Sequence, residues 1–422
     1  MSIDRYIPML RAYILRTAPE MTREPAGHIT HPYIVPSSPD SPYYSVHLWD
    51  WDSWLTSVAL AQVEAETETG RFTTYEQGAV LNFLEHTSDD GQMPVQMHPD
   101  GYLRHGDFSD EEYGLRQNMH KPVIVQHAAL LARRAGDAEW LRPHLPKLEA
   151  FLDRYLSVHL HAETGLAYWQ TDFAVGVDND PSVFGRPAGS TASIYLNALL
   201  YRELLAYGDV LEKLDDVKAA NRWRRRAQDL ADAVVAHCWD ERDGTFYSAD
   251  LLLNPIDDAD WLHSGAPRHW SSLVLRIDNW SSFLPMWAGF ASQEQAARMV
   301  ERYRDARTFN ATYGVRTLSR LEKMYDLRAS NNPSNWLGPI WGISNYLVFR
   351  GLQKYGFHED ARELAEKTVL LFGQDLEQNG CLHEYYHPDS GEPIMTRNFQ
   401  NWNYLVLQMI AYLEDRPVAS EF

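Results

Sequence analysis

The sequence predicts an all-α fold, an (α/α)6 barrel with long loops forming the active site at one end. Three observations predict it. Apolar residues recur at three- and four-residue steps through most of the chain, the signature of helices with one buried face. Between the helical stretches lie long loops rich in functional residue types, at 36–53, 88–122, 169–190, 241–282 and 374–400; loops of that length without structure of their own usually carry function. The helix–loop–helix rhythm shows no fixed-period repeat, so helical hairpins around a ring fit better than a superhelical array.

Along the chain, helices are expected near 54–66, 74–86 and 123–135. Leu141, Leu145, Leu148, Leu152 and Tyr155 then form one apolar stripe, and Leu196, Leu200, Leu204, Tyr207, Leu211 and Leu214 a second. Trp223, Ala227, Leu230, Val234 and Cys238 make a third, followed by helical patterns near 293–304, 341–355, 359–372 and 401–414. No Ser/Gly/Pro linker divides the sequence and no charged tail extends it, so residues 1–422 read as a single domain with loop insertions.

Composition narrows the function. Hydrophobic residues make up 45% and charged residues 23%, ordinary globular usage that disfavours disordered, collagenous and membrane classes. A formal charge of −20 disfavours nucleic acid or an anionic membrane as partner, since both need clustered Lys and Arg. No window approaches the roughly 18 consecutive apolar residues of a membrane span. Residues 1–21 are interrupted by Asp4, Arg5, Pro8, Arg11 and Arg16, unlike the apolar stretch of a signal peptide. Cys238 and Cys381 are the only cysteines and form no C-x-x-C motif, so a reducing cytoplasm is expected. The 14 Trp and 23 Tyr suit a polyhydroxylated ligand, offering flat apolar faces with polar handles.

One motif invites a different reading. "CLHEYYHPDSGEP", 381–393, contains His383-Glu384-Tyr385-Tyr386-His387, the H-E-x-x-H of zinc peptidases, whose two histidines sit one helical turn apart facing one metal. Here Asn379-Gly380 precedes it and Pro388, Asp389, Ser390 and Gly391 follow, all turn formers. An extended segment entering a turn is expected, with no metal bound and the histidines hydrogen-bonded behind the site or exposed.

Three further stretches gather carboxylates and rings. "TDFAVGVDNDPSVFGRP", 171–187, holds Asp178 before a turn and a helix start; an Asx-turn or a helix cap is the plain structural reading. "YYSVHLWDWDSW", 43–54, alternates Trp49, Asp50, Trp51 and Asp52, suiting a sugar whose face stacks on rings while carboxylates accept from hydroxyls; acidic residues at a helix start also suit the helix dipole. "NWLGPIWGISNYL", 335–347, brings Trp336 and Trp341 around Gly338-Pro339, as a site wall or as aromatic core.

Taken in order with "GQMP" (91–94), "RQNMHKPVIVQ" (116–126) and "FLPMWAG" (283–289), these stretches resemble glycoside hydrolase family 63, and within it the bacterial mannosylglycerate and glucosylglycerate hydrolases. The resemblance runs from about residue 40 to 414. It implies Asp178 as general acid and Glu384 as general base. It also implies Trp49, Trp51 and Asp52 as contacts to the cleaved sugar, with Gln117, Trp336, Trp341, Gln400 and Trp402 around it. The spacing within "LWDWD" leaves Asp50 open in place of Asp52. Tyr385 and Tyr386 are placed at the leaving group. A glycerate carboxylate calls for a cation, and Arg186, Arg202 and Arg276 are equal candidates.

The implied chemistry is inversion: a protonated carboxyl serves the leaving oxygen and an ionised carboxylate activates water, the two roughly 6.5–9.5 Å apart. Phe173, Val175 and Val177 are expected to wall Asp178, since an acid needs desolvation to keep its proton near neutrality. The expected activity is an exo-acting α-glycosidase that needs no cofactor and takes a small α-linked glucoside or mannoside, glucosylglycerate or mannosylglycerate first. An α-glucosidase for a small neutral disaccharide such as kojibiose is the alternative within the class. A zinc peptidase, and a sugar isomerase or sugar-binding protein, stand outside it.

Overall fold

The computed structural model describes residues 3–41, 44–100, 118–253, 270–328 and 334–422. Helices dominate them: α1 Tyr6–Thr17, α2 Asp50–Thr67, α3 Thr73–Glu85, α4 Ile124–Ala135, α5 Leu145–Val158, α6 Ile194–Lys213, α7 Val217–Cys238, α8 Leu284–Ala288, α9 Gln293–Arg304, α10 Gly342–Lys354, α11 His358–Asn379 and α12 Val406–Leu413.

Two kinds of helix are present, and their sequences explain the difference. α2 is buried without interruption from Asp50 to Val63, and α4 from Ile124 to Ala132. α7 instead buries only one stripe, including Trp223, Ala227, Leu230, Val234 and Cys238, and α9 buries Ala296, Met299, Val300 and Tyr303. A helix apolar or small on every side belongs inside, whereas one with a single stripe covers the layer beneath it. The contacts follow this division. α2 packs on α4, α4 on α6, α6 on α8 and α8 on α10. α10 meets the 3-10 turn Asn401–Leu405, which leads into α12 and packs back on α2. Outside this cycle, α3 lies on α4, α7 on α6, and α11 on α10 and α12, while α1 lies on α11 and α12.

The expected helices all appear, with shifted ends and two additions. α1 forms despite Pro8, because Pro8 lies in its first turn, where the missing N–H has no helical partner to lose. α8 is five residues long between Pro285 and a left-handed Gly289, too short to show a period. The stripe that begins at Leu141 is split: Glu139–His144 winds as a 3-10 turn around Pro143 before α5. α11 runs on to Asn379, where Gly380 at φ 71° releases the chain.

The all-α expectation needs one amendment. The loops pair into short antiparallel strands, among them Leu48–Trp49 with Gln96–Met97. A three-stranded sheet orders Ile340–Trp341, His383–Tyr386 and Pro393–Arg397, with Trp341 opposite Tyr385. Loops that converge on a buried site must satisfy their backbone groups, and pairing does so without helical length. Among the described residues no helix is long and apolar enough to cross a membrane.

Candidate active site

A cavity of about 340 Å³ opens where α2 and α10 begin, within the size range of small-molecule sites. Asp178 and Glu384 both line it, with Asp52 and Lys121.

The loop carrying Asp178 is held by its neighbours. Gly176 has φ 87°, and a Cβ there would lie 2.5 Å from the Lys121 Cε and 3.0 Å from the Trp51 ring. Only glycine combines that backbone with that approach. Asn179 accepts from the Trp336 backbone N–H at 2.6 Å and donates to Asn335 at 3.1 Å. Asp180 accepts from the backbone N–H of Ser182 at 2.9 Å and from Asn279 at 3.0 Å. Asp180 thus closes a turn on Ser182. Asp178, immediately before these two anchored side chains, is half-buried on the cavity wall. Of its expected apolar walls, Phe173 lines the cavity, while Val175 and Val177 are core residues.

Glu384 lies on the strand His383–Tyr386, whose register with Pro393–Arg397 shifts between His383 and Tyr385. Such irregularities re-aim a side chain. Its carboxylate accepts from the Tyr44 hydroxyl at 2.9 Å and from the Thr396 hydroxyl at 2.7 Å. Burial pushes its pKa above the ordinary value and the nearby Asp178 charge adds to this, while the Thr396 and Tyr44 donors oppose the rise. Behind it, His383 Nδ1 lies 3.0 Å from both Asp375 oxygens, and the Tyr386 hydroxyl donates to Asp375 at 2.8 Å. His387 Nδ1 instead accepts the backbone N–H groups of Asp389 and Ser390 in the following turn. The two histidines of the H-E-x-x-H stretch thus stand on a strand and in a turn, not on one helical face.

The start of α2 separates its two aspartates. Asp50 takes both the Lys121 ammonium, at 2.9 and 3.0 Å, and the Lys121 backbone N–H at 2.9 Å. Asp52 lines the cavity and accepts from Asn401 at 2.6 Å. Its pKa is pushed well up, by burial first and then by the Asp50 charge, with Lys121 opposing. The geometry thus separates the two aspartates that the spacing leaves open, and places Asp52 on the wall.

Rings complete the wall. Trp336 stacks on Trp341 at 4.0 Å between centroids, Trp341 stacks on Tyr385 at 4.6 Å, and Trp51 meets Trp402 edge-on at 5.3 Å. Backbone strain gathers here too. Ala174, Met395, Asn398 and Asn401 have positive φ, on the segments that carry Asp178, Glu384 and Trp402, as strain does around functional sites.

Set against the sequence-predicted residues, Trp49, Trp51, Asp52, Trp336, Trp341 and Trp402 join Asp178 and Glu384 on the wall. Tyr385, Tyr386 and Gln400 are not among the lining residues. Tyr385 is the outer ring of the Trp336–Trp341 stack, and Tyr386 is buried on Asp375. Gln400 turns to the Thr17 carbonyl at 3.4 Å and Glu20 at 3.3 Å. Gln117 lies outside the described residues. The three candidate arginines are engaged elsewhere: Arg186 with Asp250 at 2.8 Å, Arg202 with Glu421 at 3.0 Å and Arg276 with Asp240 at 2.5 Å. Sequence reasoning missed Tyr44, Lys121, Asp172 and Phe184, which also line the cavity. Tyr44 and Lys121 fall within stretches already singled out, 43–54 and 116–126. Among the described residues no group of three or more His, Cys, Asp or Glu side chains is arranged to hold a metal.

Comparison with known proteins gives concordant findings. A family model described as the mannosylglycerate hydrolase MGH1-like glycoside hydrolase domain matches residues 45–402. Mannosylglycerate hydrolase MGH1 of Selaginella moellendorffii is 25% identical over 410 residues, covering 85% of this chain and 78% of that protein. Among solved structures, the mannosylglycerate hydrolase of Thermus thermophilus in complex with glucose superposes with a TM-score of 0.65 at 20% identity, over 94% of this chain and all of that one. Neutral trehalase of Saccharomyces cerevisiae superposes with a TM-score of 0.58 at 16% identity, over 96% of this chain and 81% of that one.

Proposed function

This chain belongs to the mannosylglycerate hydrolase MGH1-like glycoside hydrolase family and is a glycosidase; from that premise we propose that it hydrolyses a small α-linked glucoside or mannoside with inversion, glucosylglycerate or mannosylglycerate being the substrate. One observation carries the proposal: Asp178 and Glu384, from distant parts of the chain, line one cavity with tryptophan walls. Asp178 gives its proton to the glycosidic oxygen. Glu384 takes a proton from water, which attacks the anomeric carbon from the opposite face. The Tyr44 and Thr396 hydroxyls favour the ionised form of Glu384, the form a base requires. Asp52 accepts from sugar hydroxyls, and the indoles of Trp49, Trp51 and Trp402 flank the ring.

The architecture we propose is one (α/α)6-barrel domain. It is supported by the cyclic packing of α2, α4, α6, α8, α10 and α12 under the other helices, and by the likeness to solved hydrolases. A cytoplasmic setting is supported by two buried, unpaired cysteines.

A panel of glucosylglycerate, mannosylglycerate, trehalose, kojibiose and nigerose, scored by released hexose, tests the substrate. Turnover confined to the two glycerates is expected; turnover confined to neutral disaccharides overturns the glycerate assignment. Proton NMR of the first-formed sugar is expected to show the β-anomer, and an initial α-anomer rules out inversion.

A further inference from the structure

Lys121 is a charged cavity-lining residue that the proposed reaction leaves without a task. Its side chain is 2% exposed, and it shares the wall with Asp52, Trp51 and both proposed catalytic carboxyls. An ammonium is a strongly hydrated charge that does not survive burial without partners. Asp50 supplies the counter-charge, with its two oxygens 3.0 and 2.9 Å from Nζ. Asp50 is itself fixed by the Lys121 backbone N–H at 2.9 Å, so the pair is clamped at both ends of the lysine. The Trp51 ring centroid lies 5.3 Å from Nζ, within cation–π range. Gly176 brings the loop of Asp178 against Lys121 Cε.

An ammonium has three N–H donors. Asp50 is the acceptor for Lys121 among the described residues, and two oxygens of one carboxylate engage at most two of the three. Next along the wall, Asp52 is acceptor-only when ionised and has one oxygen on Asn401. The wall therefore sets a charged donor beside a carboxyl oxygen that can accept, a pairing that matches a sugar hydroxyl, which accepts and donates at once.

We infer that Lys121 is a specificity-determining residue of the sugar subsite, donating its remaining N–H to one hydroxyl oxygen of the cleaved hexose while Asp52 accepts from that hydroxyl or its neighbour. The inference rests on the glycosidase reading of the cavity and adds to it the rule by which the site selects its sugar. The Asp50–Lys121 pair makes that selection rigid, since neither charge can leave the other.

The test uses binding, so that it does not depend on turnover. Glucose and mannose, with their 2-, 3-, 4- and 6-deoxy analogues, are titrated calorimetrically into the parent protein. The same titrations are made with Lys121→Met, and with the Asp50→Asn/Lys121→Met double variant, which leaves no unpaired buried charge should the single variant fold poorly. The parent is expected to lose about 10- to 100-fold in affinity on removal of one particular hydroxyl, the range of a hydrogen bond to a charged group. In the variants that penalty is expected to fall by about 5-fold or more at that position, the loss of the Lys121 donor, with the penalties at the other positions intact. A variant that weakens every sugar equally and keeps the parental discrimination overturns the role of Lys121 and leaves the glycosidase reading standing. Absence of any hexose binding to the parent protein overturns both.

Discussion

The molecule buries charge in two places, and the two behave oppositely. At the start of α2 and α10, Asp52, Asp178 and Glu384 meet, among the described residues, one cation, Lys121, that is already paired with Asp50. Further along α10, Glu421 meets Arg202 at 3.0 Å, Arg350 at 2.8 Å and the Tyr346 hydroxyl at 3.0 Å, with the Arg202 guanidinium 4.3 Å from the Phe422 ring. Burial penalises a charge in both places. In the first, carboxylates outnumber cations among the described residues, and Asp52 and Glu384 are pushed up. In the second, burial is overcome by Arg350, Arg202 and Lys354, and Glu421 is pulled down to about 2. A surplus of acid poises protons for transfer, while a surplus of base pins a carboxylate as structure.

The contrast breaks most visibly at its two ends. Asp178→Asn and Glu384→Gln are each expected to lower kcat by about 10²–10⁴-fold, the contribution of a positioned acid or base. Thermal unfolding is expected to show no loss of stability in Glu384→Gln at neutral pH. A carboxylic acid whose folded pKa is raised disfavours the folded state once ionised, so removing its charge removes a cost. Glu421→Gln is expected to do the reverse, leaving two arginines without their carboxylate and costing about 3–5 kcal/mol, measured by urea unfolding. The Glu421 contribution is present above pH about 4.5, the ordinary value, and is lost as pH falls through about 2. Destabilisation of Glu384→Gln on the scale of Glu421→Gln would erase the distinction.

The same two regions mark how far the sequence could be read. Most helices were legible, because a buried stripe imposes its period on the residues themselves, as Trp223 to Cys238 do in α7. α1 and α8 were not, since a proline and a five-residue length hide the period. Motif order pointed to Asp178, Glu384 and the tryptophans, and these residues line one cavity. Tyr386 and Gln400 share those motifs yet turn to Asp375 and to Thr17, because orientation on a strand or a turn depends on tertiary partners that spacing does not encode. Lys121 and the Glu421 cluster were invisible for the same reason: Asp50 is 71 residues from Lys121, and Arg202 is 219 from Glu421. Pairings of that range exist only once the helices pack.

The smallest expected effect sharpens the comparison most, because it tests the donors that oppose the rise in the Glu384 pKa. The Tyr44 hydroxyl donates to Glu384 and opposes the rise in its pKa. Burial raises the Tyr44 phenol well above its ordinary value, with the charge of Glu384 adding to this, so it remains a donor throughout the working range. Tyr44→Phe removes the donor and leaves the desolvation in place. The folded pKa of Glu384 then climbs further, and a base that must be ionised becomes active only at higher pH. The acid limb of the kcat profile is expected to move up by about one pH unit, equivalent to about 1.4 kcal/mol, and Thr396→Val is expected to move it the same way. A limb that stays in place in both variants means that Glu384 does not set it; a limb that moves down means that the hydroxyls favour the protonated form, and Glu384 then cannot be the base.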